Sequence, residues 1–319
     1  GFISWRTIES LERLGIDPDT LNTARLRQVR IYAGERVRTA RLPRPALTVS
    51  RRRLDTVMLD AAIRAGTPVE NGVTIREIGG LTARAADGAL FEADALFLAS
   101  GKHDIRGTAR PVDARGEDPT LGLRVRLRSS RATGVIGDAI ELHLFDRGYV
   151  GLALQEDGSA NLCLAVHRSR LQSAGSPTAL LDTLARENPV LGERMMDFGA
   201  TTPVDAIANV PYGWRVRKGE PGLFRLGDQA GVIPSLAGEG MGIAIASGMA
   251  AASAYRRGGA EAAVAWQRNF ARSLARPIGV AGVVRRLAEH PLSRHALPLL
   301  GPRLIAVVAA ATRVGHDHP

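Results

Sequence analysis

At 319 residues, 45% hydrophobic and 23% charged, the chain has an ordinary globular composition, which excludes wholesale disorder and a fibrous repeat. One cysteine, Cys163, excludes an internal disulfide or a cysteine-based zinc centre, and no stretch approaches the ~20 apolar residues of a membrane-spanning helix, so a reducing, cytoplasmic setting is expected. The formal charge of +10 is carried almost wholly by arginine, with only Lys102 and Lys218 as lysines, while 4% aromatics and no zinc-finger or RNA-binding signature argue against nucleic acid.

In chain order, Trp5–Leu14 has helical spacing through Ile8, Leu11 and Leu14 and stops at Gly15. Leu26–Val37 alternates apolar and charged residues around a turn at Tyr32–Glu35, the pattern of a half-buried hairpin. Arg25, Arg27, Arg30, Arg36, Arg38, Arg41, Arg44, Arg51, Arg52 and Arg53 crowd this region, with Glu35 the one acid among them. Such a run is either a solvated face or a landing site for an acidic carrier protein or a phosphorylated substrate. Leu54–Ala65 returns to helical spacing before Gly66, and Asp94–Ala99 is a buried strand punctuated by Ser100 and Gly101.

From Leu121 the pattern changes to strands at Leu121–Leu127, Ile140–Phe145, Tyr149–Leu154 and Ala160–Val166. The last two flank an Asp157-Gly158 hairpin turn, which implies an antiparallel sheet and a second lobe. Ser176–Glu187 and Val190–Phe198 are helical, and Thr201–Val210 is a returning strand. Leu223–Leu226 is a short strand, and Gly240–Tyr255 a helix dense in small residues. Ala260–Ser273, Val280–Glu289 and Arg303–Arg313 form a helical tail whose pieces are separated by prolines, Pro277 among them. Cys163, between Leu162 and Leu164, is expected in the core, and no histidine has metal-ligand spacing.

The most informative segment runs from Gly227 to Ala244: an acid, Asp228, after a strand, a loop with Pro234, then Gly238-Glu239-Gly240 opening a long helix. Free amides at a helix start favour electron-rich or anionic groups, and a carboxylate beside them accepts hydrogen bonds from hydroxyls. This string resembles the second FAD-binding motif of the flavoprotein hydroxylase and geranylgeranyl reductase superfamily. Arg51-Arg52-Arg53-Leu54-Asp55 resembles that family's Arg-x-x-Leu-Asp helix start, and Asp94–Gly101 its strand ending in Ala-Thr/Asp-Gly. Ala99–Asp104 and Gly1–Ser4 look more like the reductase branch.

The resemblance implies an α/β, two-lobed, glutathione-reductase-type Rossmann-like fold. Its cofactor lobe would span residues 1–103 and 211–258, its antiparallel substrate sheet 104–210, and a helical tail 259–319. It implies FAD as cofactor, held by Arg51, Gly101, Gly227, Asp228, Pro234, Gly238, Glu239 and Gly240, with NAD(P)H or another electron donor. Tyr149, Trp214, Lys102 and His103 are the candidate substrate residues; no catalytic residue is nominated, because the flavin carries the redox chemistry. The Gly-x-Gly-x-x-Gly unit that opens family members is absent, so the expectation is an N-terminally incomplete chain lacking about 40 residues, the size of one βαβ unit.

The activity this implies is reduction of a carbon–carbon double bond in an apolar isoprenoid or polyketide-type substrate by hydride from reduced FAD. Two alternatives stand beside it: oxygen insertion through a flavin hydroperoxide, and a degenerate, non-catalytic binding protein. A peripheral membrane contact stays open.

Overall fold

The fold is described from a computed structural model over residues 1–199, 201–292 and 301–314. Its largest element is an eight-stranded sheet in the order β1-β3-β2-β9-β10-β11-β8-β12. The opening residues supply β1 (Phe2–Ile3), β2 (Leu26–Ala33) and β3 (Arg36–Thr48). The middle of the chain supplies β8 (Thr120–Leu127), β9 (Ala139–Phe145), β10 (Gly148–Leu154), β11 (Ala160–His167) and β12 (Val204–Val210). Neighbours are antiparallel except β2 and β9, which run parallel and join the two sequence regions, with Val29 opposite Ile140 and Ile31 opposite Leu142. The hairpin of residues 26–48 is part of this eight-stranded sheet, paired through β2 with β9.

Alternation gives this sheet two apolar faces. On one, Leu123, Val125, Val150, Leu152, Leu162 and Leu164 pack beneath helices α5 (Pro177–Glu187) and α6 (Pro189–Arg194), whose Leu180, Leu181, Leu184 and Leu191 are fully buried. Burying each such leucine is worth about 1.5–3 kcal/mol, so this layer fixes the register of these three strands. Short helices α3 (Arg131–Gly134) and α4 (Arg168–Ala174) close its ends. The other face carries Ile140, Leu142, Leu144, Tyr149, Gly151, Ala153, Asn161 and Cys163 and looks into a cavity. Cys163 is therefore not a core residue, as its neighbours suggested: it is exposed on the cavity wall, with Asn161 Nδ2 2.9 Å from its Sγ.

The second lobe is built around a parallel pair, β7 (Leu96–Leu98) and β13 (Leu223–Arg225), in the register Leu96–Leu223, Phe97–Phe224 and Leu98–Arg225. Beside it lies a meander of β4 (Ile75–Gly79), β5 (Thr82–Ala85) and β6 (Leu90–Glu92). Helices α1 (Trp5–Arg13), α2 (Arg51–Arg64) and α7 (Gly240–Gly258) flank this region, and α8 (Ala262–Ser273) packs Trp266 and Phe270 against Phe224 and the small face of α7. Ser4 and Ser50 cap α1 and α2 by accepting from Thr7 N and Arg53 N.

Helix α9 runs continuously over Ala275–Glu289. Pro277, expected to separate two helices, sits in its first turn, where a missing N–H costs no intrahelical bond. The final helix, α10 (Pro302–Ala311), lies across β3 and, with α9, roofs the cavity. Parts of the expected tail, residues 293–300 and 315–319, lie outside the described residues. Among the described residues no helix is long and apolar enough to cross a membrane.

Candidate functional site

Because β7 and β13 are parallel and in register, their carboxyl ends stop at one level and their following loops lie side by side. Crevices of this kind, outside the carboxyl ends of parallel strands, are where open α/β sheets bind ligands. Leu226 N donates to Leu98 O at 2.9 Å and ties the two exits together. Gly227 follows with φ +53°, a backbone only glycine adopts freely, and its N–H donates to Ser247 Oγ of α7 at 2.8 Å. Asp228 is thereby set at the floor of the crevice, where Lys102 from the β7 loop meets it with Nζ 2.8 Å from Oδ2.

Two side chains that sequence reasoning left without a role lock these loops. The buried Arg110 guanidinium donates to Asp104 Oδ1 at 2.7 Å, to the Asp228 carbonyl at 3.0 Å and to the Lys102 carbonyl at 2.5 Å, and lies over the Trp214 ring. Gln229 donates through Nε2 to the carbonyls of Gly101 and His103 at 2.9 and 3.0 Å. An alanine at position 229 would leave both carbonyls without this donor.

Beyond Asp228, Pro234 leads a tight turn in which Gly238 takes φ +69°; a Cβ there would stand 2.7 Å from the Phe2 ring. Helix α7 then begins at Gly240, and Gly240 and Met241 line the cavity at its N-terminal, electropositive end. Glu239 turns the opposite way. It is 1% exposed and ion-paired with Arg313, whose guanidinium also donates to Ala237 O at 2.9 Å and lies over Phe2 and Trp5. The segment after α10 is thus stapled to the back of the glycine loop.

The cavity these parts enclose measures about 1240 Å³, more than the roughly 300–1,000 Å³ typical of a site for one drug-sized ligand. Arg51, Gly101, Lys102, Gly227, Asp228, Gly238, Gly240 and Tyr149 all line it. Arg51 is half-exposed at its edge and pairs with Asp55 at 3.0 Å. Pro234, Glu239, Trp214 and His103, the other expected residues, do not line it: Pro234 and Glu239 are buried behind the loop, Trp214 stacks on Arg110, and His103 is exposed outside. The polar side of the cavity is therefore the β7/β13 crevice. The apolar side lies between the sheet face and the roof, with Val280, Val284 and Leu287 from α9 and Leu304, Ile305 and Val308 from α10.

Burial keeps the Tyr149 phenol well above its ordinary value, so it stays protonated and serves as a hydrogen-bond group. On the sheet's other face, Glu141 and His143 are fully buried away from the cavity. Burial pushes the Glu141 carboxyl up, but His143 at 3.5 Å and Arg194 at 3.2 Å outweigh it and hold the value at about 2. Among the described residues there is no cluster of metal-ligating side chains.

No protein-family model matches the sequence, and no curated protein matches it. Solved structures do. PqsL from Pseudomonas aeruginosa, a probable FAD-dependent monooxygenase, superposes with a TM-score of 0.68 at 14% identity over 93% of this chain and 88% of its own. The flavin-dependent brominase Bmp2 gives 0.71 at 13% identity over 96% and 82%. Klebsiella pneumoniae HpxO, solved with FAD and uric acid, gives 0.71 at 15% identity over 98% and 86%. This chain has the two-lobed α/β fold of these flavoenzymes.

Proposed function

We propose that the chain is an FAD-dependent oxidoreductase of the monooxygenase type acting on a small, largely apolar molecule. The carrying observation is the placement of Asp228, at the exit of a parallel strand pair, on the floor of a cavity it shares with the first turn of α7, Lys102 and Arg51.

The residues fit the cofactor. Asp228 would accept from ribityl hydroxyls; Gly238 and Gly240 keep the loop free of side chains where a flat ring would lie; the start of α7 offers amides to an electron-rich edge. Lys102 and Arg51 supply positive charge for its phosphates. When bound, FAD supplies the electron transfer and the activation of O₂, with NAD(P)H or another donor as reductant. The chain's own part is to orient the substrate against the sheet face and to keep water out beneath α9 and α10. The apolar walls support a hydrocarbon-rich substrate rather than a highly charged one.

A second reading, double-bond reduction, is favoured by the residues Ala99–Asp104, which resemble the reductase branch. Turnover separates the two. With FAD, NAD(P)H and a panel of alkylated naphthols and polyprenols, the monooxygenase reading expects strictly O₂-dependent turnover and one ¹⁸O atom in the product from ¹⁸O₂. Anaerobic product gaining two hydrogens would replace it with the reductase. Asp228→Ala matching wild type in a flavin titration in which wild type binds FAD would remove both.

A further inference from the structure

One hydroxyl in the cavity has a proton that the protein does not use. Ser235, exposed on the loop between Pro234 and Gly238 and lining the cavity, sits between two phenols. Tyr149 Oη is 2.7 Å from its Oγ, and Tyr212 Oη donates to the same Oγ at 2.8 Å. The direction of the first bond follows from donor arithmetic. Tyr149 is 3% exposed, and its oxygen already accepts from Leu236 N at 2.9 Å. Were Ser235 to donate to Tyr149, the buried phenol proton would be left without an acceptor, at a cost of about 1–3 kcal/mol. Tyr149 therefore donates to Ser235. With both phenols donating, Ser235 Oγ accepts twice and keeps its own hydrogen, and the exposed side of this hydroxyl is the cavity.

Accepting two hydrogen bonds polarises a hydroxyl and strengthens it as a donor. The geometry also fixes which part of the cavity it serves. Tyr149 stands on the sheet face, and Tyr212 lies beneath the Arg285 guanidinium of α9, 4.7 Å from its ring centroid. Ser235 is thus held between the sheet and the roof, on the apolar side.

We infer that Ser235, positioned by Tyr149 and Tyr212, is the hydrogen-bond donor that selects substrates carrying a neutral oxygen acceptor, a ketone or aryl ether oxygen, on an otherwise apolar body. The inference rests on reading this cavity as the substrate site of the flavoenzyme, and it adds a specificity-determining residue that neither strand pattern nor motif picked out.

A matched pair of ligands tests it on the full chain: 2-acetylnaphthalene, which carries the acceptor, and 2-ethylnaphthalene, which replaces the carbonyl by a methylene. Binding is followed by the change in naphthalene fluorescence, and FAD content is recorded separately by visible absorbance, so loss of flavin and loss of ligand selectivity are read independently. The expected result is about a tenfold preference for the ketone, the yield of one net hydrogen bond. Ser235→Ala equalises the two ligands, and Tyr212→Phe, which removes one of the two polarising donors, narrows the preference while Ser235 remains. Equal affinities in the wild type, binding of neither ligand, or a ketone preference that survives Ser235→Ala would overturn the proposal. So would a Ser235→Ala variant whose only defect is weaker flavin binding, since the hydroxyl would then serve the cofactor.

Discussion

Replacing Arg110 by methionine tests whether the crevice is preorganised by a single buried guanidinium. Methionine keeps an unbranched stem over Trp214 and deletes only the charge and its donors. Arg110 has 3% of its side chain exposed and makes three bonds: to Asp104 Oδ1 at 2.7 Å, Asp228 O at 3.0 Å and Lys102 O at 2.5 Å. Each hydrogen bond to a charged group is worth about 1.5–3 kcal/mol, but the three share one side chain and do not add. Breaking a buried ion pair by removing one partner costs about 3–5 kcal/mol. Asp104 is partly relieved by Arg115 at 3.6 Å, which favours the lower half of that range. In a two-lobed chain, global denaturation mixes separate transitions, so native-state hydrogen exchange at the Leu226 and Ala230 amides, which bond Leu98 O and Gly227 O, is the sharper assay. Local opening should become easier by about 3 kcal/mol, or roughly two orders of magnitude in exchange rate. Asp104→Asn combined with Arg110→Met should cost clearly less than the sum of the two. Exchange within threefold of wild type, or strict additivity, would refute the idea that Arg110 holds the two loops together.

Two predictions concern pH. Glu141, held at about 2 in the folded protein, contributes stability that is complete above the ordinary carboxylate value of about 4.3 and fades as pH falls toward the folded value; Glu141→Gln should lose about 3 kcal/mol at neutral pH and show a flatter acid limb in urea titrations. His167 places Nδ1 3.0 Å from the Asp118 carbonyl and Nε2 3.1 Å from Glu289 Oε2, with Arg285 also at Nε2, and the bond to Glu289 raises its pKa against the opposing effect of burial. Its stabilising charge is complete below about pH 6.5 and is lost as pH rises through the raised value, so His167→Gln should flatten the alkaline side of the profile and loosen α9, read as faster exchange at the Arg147 amide that bonds Glu289 O.

What could be read in advance followed from local pattern. Strands β9 to β11 turn one face to the α5/α6 layer and the other to the cavity, β8 alternates packed residues with exposed Arg124 and Arg126, and the Asp157-Gly158 turn fixes the pairing of β10 with β11. The meander β4–β6 escaped notice because β6 is wholly exposed and offers no apolar alternation; its only signals were the turns at Gly79-Gly80 and Asp87-Gly88. Strand β3 runs well past the predicted hairpin because Pro43 and Pro45 sit where its register with β2 shifts, between Arg41 and Ala46, and prolines at a bulge argue against a strand in sequence while fitting one in space. Asp228, Gly227 and Arg51 could be nominated because they belong to compact motifs. Arg110 could not: its three partners lie 6, 8 and 118 residues away, and nothing in its neighbourhood distinguishes it from the other arginines.

Cys163 shows why alternation alone misplaces a residue. A period of two separates the faces of a strand but does not say which of two apolar faces is packed and which lines a void. Leu162 and Leu164 took the packed face, so Cys163 had to take the other. Side-chain size carries the missing information. Along β10 the packed face holds Val150, Leu152 and Leu154, while the opposite positions beyond Tyr149 are Gly151 and Ala153; across from them on β11 stand Cys163 and Asn161. Residues this small on a sheet face covered by two helices leave the ~10 Å layer spacing of a packed core unfilled. A run of small residues on one face of β10 and β11, which are large on the other, therefore marks the cavity, and the large exception on these two strands, Tyr149, is the residue whose hydroxyl is engaged with Ser235.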